Sequence, residues 1–220
     1  MEVEKVLKRK LPRIGGCFAT ALDGCFGACD AALHELYNND SENTGILFQE
    51  EDMKKIVDLD IGITLQPSFL ISPLEPVSYL EEILGDRVKK GSPIKSLLNA
   101  GIHVSGGSDA PVTYPDPIEG IYGACNHPYD PDESVSIIDA LKMYTCEVAR
   151  TTFDEKDRGS LEKGKIADMV ILNQDPLSMN PEDLRSLRVE KLFLGGKQYQ
   201  SGMGIMGMLW NGLAGRKEKI

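Results

Sequence analysis

Residues 102–111 read IHVSGGSDAP. Apolar Ile102 and Val104 alternate with polar His103 and Ser105, and alternation is the period of a β-strand, whose successive side chains point to opposite faces. The run breaks at Gly106-Gly107, a loop signal, and carries a single carboxylate, Asp109, just beyond the break. A strand that ends in a glycine-rich loop with one acid suits a parallel βα barrel, where catalytic groups sit at the C-terminal mouth of the strands. In that setting His103 and Ser105 face the lumen. Asp109 stands at the mouth, placed to ligate a metal ion and to accept a proton from metal-bound water. GSDAP also has the composition of a turn braced by its Asp, and a lone histidine on a strand is more often a hydrogen-bonded core residue than a ligand.

Working outward, Ile61–Gln66 (IGITLQ) alternates and stops at Pro67, which predicts a second strand followed by a loop. Between the two strands, Tyr79–Leu84 reads as a short helix. Ser92–Asn99 (SPIKSLLN) reads as another, with Ser92 as N-cap, Pro93 at the first helical position and Gly101 as its stop. Downstream, 116–124 is predicted helical, and Ser136 caps one continuous helix with Ile137, Ala140, Leu141, Tyr144 and Val148 on a single face. Towards the N-terminus, Glu50, Glu51 and Asp52 open a helix carrying Met53, Ile56 and Val57. Before it come a turn at 38–45, a short helix at 28–37, and a strand running into a backbone-exposed loop at 15–27.

After Arg158 the pattern changes. Gly159–Lys165, Asp168–Leu172, Val189–Leu194 and Lys197–Gln200 read as strands, the last two joined by a hairpin turn at Gly195-Gly196, with a helix near Pro181–Leu187 between them. The tail 203–213 (MGIMGMLWNGL) is apolar, too short to span a bilayer, and expected to pack on the body. The chain thus divides into 14–158, an α/β region, 159–202, a small β region, and 203–220, an apolar and charged tail.

Other residues carry weaker signals. His127, in CNHPYDPDE, is a candidate to reach a substrate from the barrel mouth, with a surface-loop histidine as the alternative. Asp116 with Glu119, and Asp130 with Asp132 and Glu133, are paired carboxylates or simply solvated loop charge. Cys25 and Cys29 are one helical turn apart, a spacing that suits buried thiols better than a zinc knuckle without a second pair.

Composition sets the class. Lys and Arg total 24 against 34 Asp and Glu, a net charge of −10, which repels phosphate backbones and argues against nucleic acid as a partner. The chain is 41% apolar and 26% charged, enough to build a core. No window approaches the roughly 18 apolar residues of a membrane span. Met1–Lys10 is charged throughout and lacks the apolar core of a secretory signal, so a cytoplasmic location is expected. Five cysteines are too few for a disulfide scaffold and read as reduced thiols.

Three stretches together, GIHVSGGSDAPV (101–112), CEVARTTF (146–153) and RGSLEKGKIADMVILNQDPL (158–177), resemble the C-terminal part of the amidohydrolase superfamily, in the branch that includes N-substituted formamide deformylases. The pattern G-x-L-x-x-G-K-x-A-D-x-V-x-L over Gly159–Leu172 is a specific mark of that superfamily's small β domain. DGCFGACDAAL (23–33) is similar to a mid-barrel stretch of the same branch. The resemblance implies a partial TIM-type (β/α) barrel over 14–158 and the C-terminal share of a small β-sandwich after it. It implies hydrolysis of non-peptide carbon–nitrogen bonds in a small amide-like substrate by water activated at a divalent metal, zinc foremost. Asp109 would be metal ligand and catalytic base, His103 a second ligand, and His127 a substrate contact.

The chain also departs from the family. It has no His-x-His pair, and its histidines are His34, His103 and His127 alone. The two histidine-bearing strands the family places mid-barrel should fall between Val57 and Ile61, which here are almost adjacent, and 17–22 (CFATAL) has no metal-bridging lysine. Of the usual metal shell only Asp109 carries over. The alternative is therefore a non-catalytic fragment of such an enzyme, retaining neither metal nor activity by itself. A whole barrel takes about 250 residues, so 14–158 has room for three or four βα units. Their unpaired strand edges predict a homo-oligomer.

Overall fold

Strand β1 (Ile63–Leu65) runs parallel to β2 (Val104–Gly106), with Ile63 opposite Val104 and Leu65 opposite Gly106. This pairing comes from a computed structural model, which describes residues 37–40, 42, 43 and 53–199. The segments read as strand, loop and helix lie, over 15–36, outside the described residues, as do Cys25, Cys29 and the tail 203–213. Among the described residues the parallel sheet has two strands, fewer than the three or four units expected from length.

The helices are α1 (Met53–Asp58), α2 (Val77–Leu84), α3 (Ile94–Asn99), α4 (Pro117–Cys125), α5 (Ile137–Met143) and α6 (Cys146–Thr151). Parallel strands need a crossover, and residues 66–103 supply it with α2, α3 and two 3₁₀ turns, Pro67–Ile71 and Gly85–Lys90. The main core gathers Ile94 and Leu97 from α3, Ile102 and Val104 beside and in β2, Ile121 and Ala124 from α4, and Ala140 and Met143 from α5. Val104 and Met143 have no exposed surface. A smaller cluster of Tyr37, Leu80, Ile83, Leu84 and Val88 lies beside it, and Tyr129 packs against both.

Local chemistry explains most element boundaries. Asp116 caps α4 by accepting from the Ile118 amide at 2.9 Å, with Pro117 at the first helical position. Ser136 caps α5, accepting from the Asp139 amide at 3.2 Å while its hydroxyl donates to the Asp139 carboxylate at 2.7 Å. Ser92, expected to cap α3, does not: it takes a left-handed φ of 56° and Pro93 holds the cap position without a side-chain bond.

The helix expected to continue from Ser136 past Val148 is two helices. The chain leaves helical geometry at Thr145 (φ −128°, ψ −90°), whose hydroxyl bonds back to the Leu141 carbonyl at 2.7 Å. The reason is tertiary: the Tyr144 ring is drawn over β2 and α4, as described below.

The second sheet is antiparallel, β3 (Met169–Leu172), β4 (Val189–Leu194), β5 (Lys197–Tyr199), in that order. Gly195 and Gly196 form the hairpin turn with φ of 57° and 77°, the two positive values that a two-residue turn of the I′ kind requires. The expected helix near 181–187 is a 3₁₀ turn, Pro181–Ser186. Gly159–Lys165 forms turns rather than a strand. Its bonds run inward: Lys165 Nζ donates to Ser160 Oγ at 2.6 Å, and the Ile166 amide closes the loop on the Asp157 carbonyl at 2.8 Å. Asp168 anchors the unit, pairing with Arg158 and accepting the Gly195 amide at 2.7 Å. No described helix is long and apolar enough to cross a membrane.

Candidate functional site

The loops that follow β1 and β2 are locked to each other, and this lock positions Asp109. After β1 the chain enters the 3₁₀ turn Pro67–Ile71, whose Ser68 hydroxyl lies 3.0 Å from the Thr113 hydroxyl, both buried. Thr113 in turn donates to the Ser108 carbonyl. From the other side Tyr144 donates its hydroxyl to the Gly107 carbonyl at 3.3 Å. The two carbonyls before Asp109 are thereby both fixed by side chains, one from Tyr144 at the end of α5 and one from Thr113 within the same loop. Asp109 itself is exposed, adopts φ 51°, a left-handed conformation that Asp tolerates better than most residues, and accepts from the Val112 amide at 2.9 Å. It sits three residues beyond the C-terminal end of β2, as its sequence position predicts.

Tyr144 reaches this loop because two glycines leave room for its ring. A Cβ on Gly106 would lie 2.4 Å from the ring, and one on Gly120 would lie 1.8 Å from the hydroxyl oxygen. On the same helix, a Cβ on Gly123 would come within 2.3 Å of the Pro67 carbonyl, so α4 packs against the post-β1 turn through a glycine face. Burial pushes the Tyr144 phenol well above its ordinary pKa, so it stays a hydrogen-bond donor through the physiological range.

His103 lies at the opposite end of β2. It immediately precedes the strand, and its side chain faces α6, with Nδ1 2.9 Å from the Glu147 carboxylate and Nε2 3.7 Å from Asp60, three residues before β1. Arg150 completes the group with two bonds to Asp60, of 2.9 and 2.7 Å. One turn on from Glu147, Thr151 donates to Ser105 Oγ at 3.1 Å, and Ser105 Oγ lies 2.9 Å from Thr64 Oγ1. The face carrying His103 and Ser105 is thus the face covered by α6, a helix, where the sequence reading had placed a lumen. The structure does not bring His103 and Asp109 together.

His127 is turned inward. It is 3% exposed, and both ring nitrogens are engaged by backbone groups, of Ser92 and of Asp130. The substrate contact expected of it has no ring nitrogen left to make it, because the loop folds back onto the chain ahead of α3. Of the candidate carboxylate pairs, Asp116 is a helix cap, Glu119 pairs with Arg185 at 2.9 Å, and Glu133 accepts from the Ser96 amide at the start of α3 at 2.9 Å. Among the described residues, no three His, Cys, Asp or Glu side chains gather to hold a metal ion.

Ser68, Thr113, Tyr144 and Glu147 were not singled out by the sequence as parts of a site. Tyr144 fits a helical core stripe, and Ser68 and Thr113 are ordinary loop residues until tertiary structure joins them. Glu147 and Thr151 had a legible signal, since residues four apart on one helix share a face and can meet alternate residues of a strand.

Residues 21–200 match the family profile described as "Amidohydrolase family". The chain is 31% identical over 160 residues to the protein YtcJ of Bacillus subtilis (strain 168), named as an amidohydrolase, a match covering 69% of this chain and 30% of that protein. It is 34% identical over 110 residues to the N-substituted formamide deformylase of Arthrobacter pascens, covering 47% of this chain and 20% of the deformylase. Among solved structures, an uncharacterized metal-dependent hydrolase from Pyrococcus furiosus superposes with a TM-score of 0.63 at 24% identity, over 80% of this chain and 49% of that one. The shared fold is the TIM-barrel-like one of these hydrolases, and the chain spans less than a third of the length of these two curated relatives. With its Asp109 loop and its Gly159–Leu172 segment both inside the matched region, the chain belongs to the amidohydrolase family.

Proposed function

We propose that Asp109 is the acid–base carboxylate of a metal-dependent hydrolase acting on non-peptide carbon–nitrogen bonds of small amide-like substrates, with zinc as the first-choice ion. The observation that carries this reading is position: an exposed carboxylate just past the C-terminal end of a parallel strand, on a loop whose two preceding carbonyls are pinned by Tyr144 and Thr113. A carboxylate so placed accepts a proton from the attacking water and returns it to the leaving nitrogen.

The described residues do not fit a complete metal shell. A catalytic zinc takes about three protein ligands, whereas His103 is committed to Glu147 at the far end of β2 and His127 is buried against backbone. This favours the second reading for the 220 residues taken alone: a non-catalytic portion of such an enzyme, which neither holds a divalent ion tightly nor hydrolyses amides. Elemental analysis of protein purified without chelators, beside Asp109→Ala, tests it. The expected result is no stoichiometric metal in either protein. Stoichiometric zinc that the variant loses would overturn the second reading and place a working metal centre in this chain.

The partner we propose, besides an amide-like substrate, is a second copy of the chain. Thr64 of β1 is exposed, and all three residues of the edge strand β5 are exposed, which leaves strand edges of the kind that associate.

A further inference from the structure

The buried imidazole of His127 ties its loop to the chain just ahead of α3, beside the Glu133 carboxylate of the same loop, which holds the Ser96 amide. Nε2 lies 3.2 Å from the Ser92 carbonyl, and the Asp130 amide donates to Nδ1 at 3.1 Å. A carbonyl only accepts and an amide N–H only donates, so one form satisfies both: the neutral ring protonated on Nε2. The His127 amide donates to Ser134 Oγ at 3.0 Å, and the ring meets Tyr129 edge to face, centroids 5.5 Å apart. Tyr129 is the residue that packs against both hydrophobic clusters.

On the other side of the ring, Ser92 ends the stretch that holds the small cluster, and its φ of 56° is unfavourable for a residue with a Cβ. Such a conformation persists where surrounding contacts over-determine it. Here the Ser92 oxygen accepts twice, from His127 and from the Ile94 amide at 2.7 Å, which starts α3.

We propose that His127 is a pH-sensitive latch that fastens the 77–93 segment to the body of the fold, closed by the neutral imidazole and released by its protonation. A proton on Nδ1 would point at the Asp130 N–H, setting donor against donor, so the ring can keep Ser92 only by giving up Asp130 or leaving the pocket.

The charged groups facing the ring are Asp130 beside it and Glu133 on the 3₁₀ turn Pro131–Glu133, while the Tyr129 phenol that meets it edge to face is kept neutral by burial. From the Ser92 side the backbone of Gly91 and Ser92 faces it. Both carboxylates favour the cation, but burial opposes it more strongly and holds the group below its ordinary value. The sign follows. A histidine depressed in the closed state leaves the latch fully closed above its free pKa of about 6.5, and opening becomes easier as pH falls, by at most about tenfold per pH unit for one proton.

Amide hydrogen exchange on the whole chain between about pH 5 and about pH 7.5, corrected for intrinsic chemistry, reads this opening directly. Amides of 85–99 and 127–134 are expected to lose protection as pH drops below about 6.5, approaching tenfold per unit, while β3, β4 and β5 do not follow. In His127→Gln, which offers a neutral amide at every pH, the response should vanish. Imidazole ¹⁵N shifts in the unmodified chain should show the Nε2-protonated tautomer and a midpoint below the ordinary value, a reading that does not depend on the variant folding. A midpoint at or above that value, a pH response that survives in folded His127→Gln, or a loss of protection shared equally by the β3–β5 sheet would each overturn the latch.

Discussion

Gly120→Ala tests whether the Tyr144 ring is seated as described. Alone, the change should help: alanine in a helix interior is better than glycine by about 0.8–1 kcal/mol. In this structure the new Cβ would lie 1.8 Å from the Tyr144 hydroxyl oxygen and 2.4 Å from Cζ, separations no real pair of atoms tolerates. The ring cannot slide towards β2, because Gly106 already receives it there without room for another atom. Forcing it out costs about 1–3 kcal/mol for overpacking and about 1 kcal/mol for the lost bond to the Gly107 carbonyl. After the helix gain is subtracted, the net loss is about 1–3 kcal/mol, which for a chain of this size lowers Tm by roughly 2–4 °C per kcal/mol.

Urea unfolding of Gly120→Ala, Tyr144→Phe and the double variant measures both the loss and its origin. Phenylalanine removes the atom in the worst clash, so the double variant should lose less than the sum of the single ones. A Gly120→Ala protein stabilised by about 1 kcal/mol, or strict additivity in the cycle, would refute the seating of Tyr144 and with it the account of how the Asp109 loop is held.

Ser136→Ala should cost about 1 kcal/mol through loss of the α5 cap, measured by the same unfolding curves. The Ser136 hydroxyl and Lys142 hold the Asp139 carboxyl below its usual range, so the stability it contributes is present above about pH 4 and lost as pH falls through its folded value. The variant should therefore show a weaker acid dependence in that window, and an unchanged one would detach the cap from the carboxylate. If exposed strand edges drive association, light scattering should report a particle larger than one 220-residue chain, and a monodisperse monomer at high concentration would end that proposal.

Much of this architecture is legible in the sequence. Alternation located β1 and β2, the acid after the second glycine pair placed Asp109 beyond a parallel strand, Asp116 and Ser136 marked two helix starts, and Gly195-Gly196 marked the hairpin. These features depend on neighbours in sequence: the dihedral freedom of glycine, caps within one turn, and the two-residue period of a strand.

What tertiary structure alone decided is where side chains end when distant segments meet. The helical stripe from Ile137 to Val148 is intact as a pattern, yet the chain breaks at Thr145, directly after the Tyr144 ring is seated between Gly106 and Gly120. Gly159–Lys165 reads as a strand from its place beside the other β-rich runs, yet it turns, and Asp168 just beyond it holds both Arg158 and the hairpin. His103 immediately precedes the strand that leads to the Asp109 loop, but α6 lies over its face and presents Glu147, whose carboxylate holds Nδ1 at the end away from the mouth. His127 sits in a polar, proline-rich loop whose composition says surface; burial follows only because the Ser92 carbonyl and the Asp130 amide together satisfy both ring nitrogens, the condition under which a polar ring can leave water.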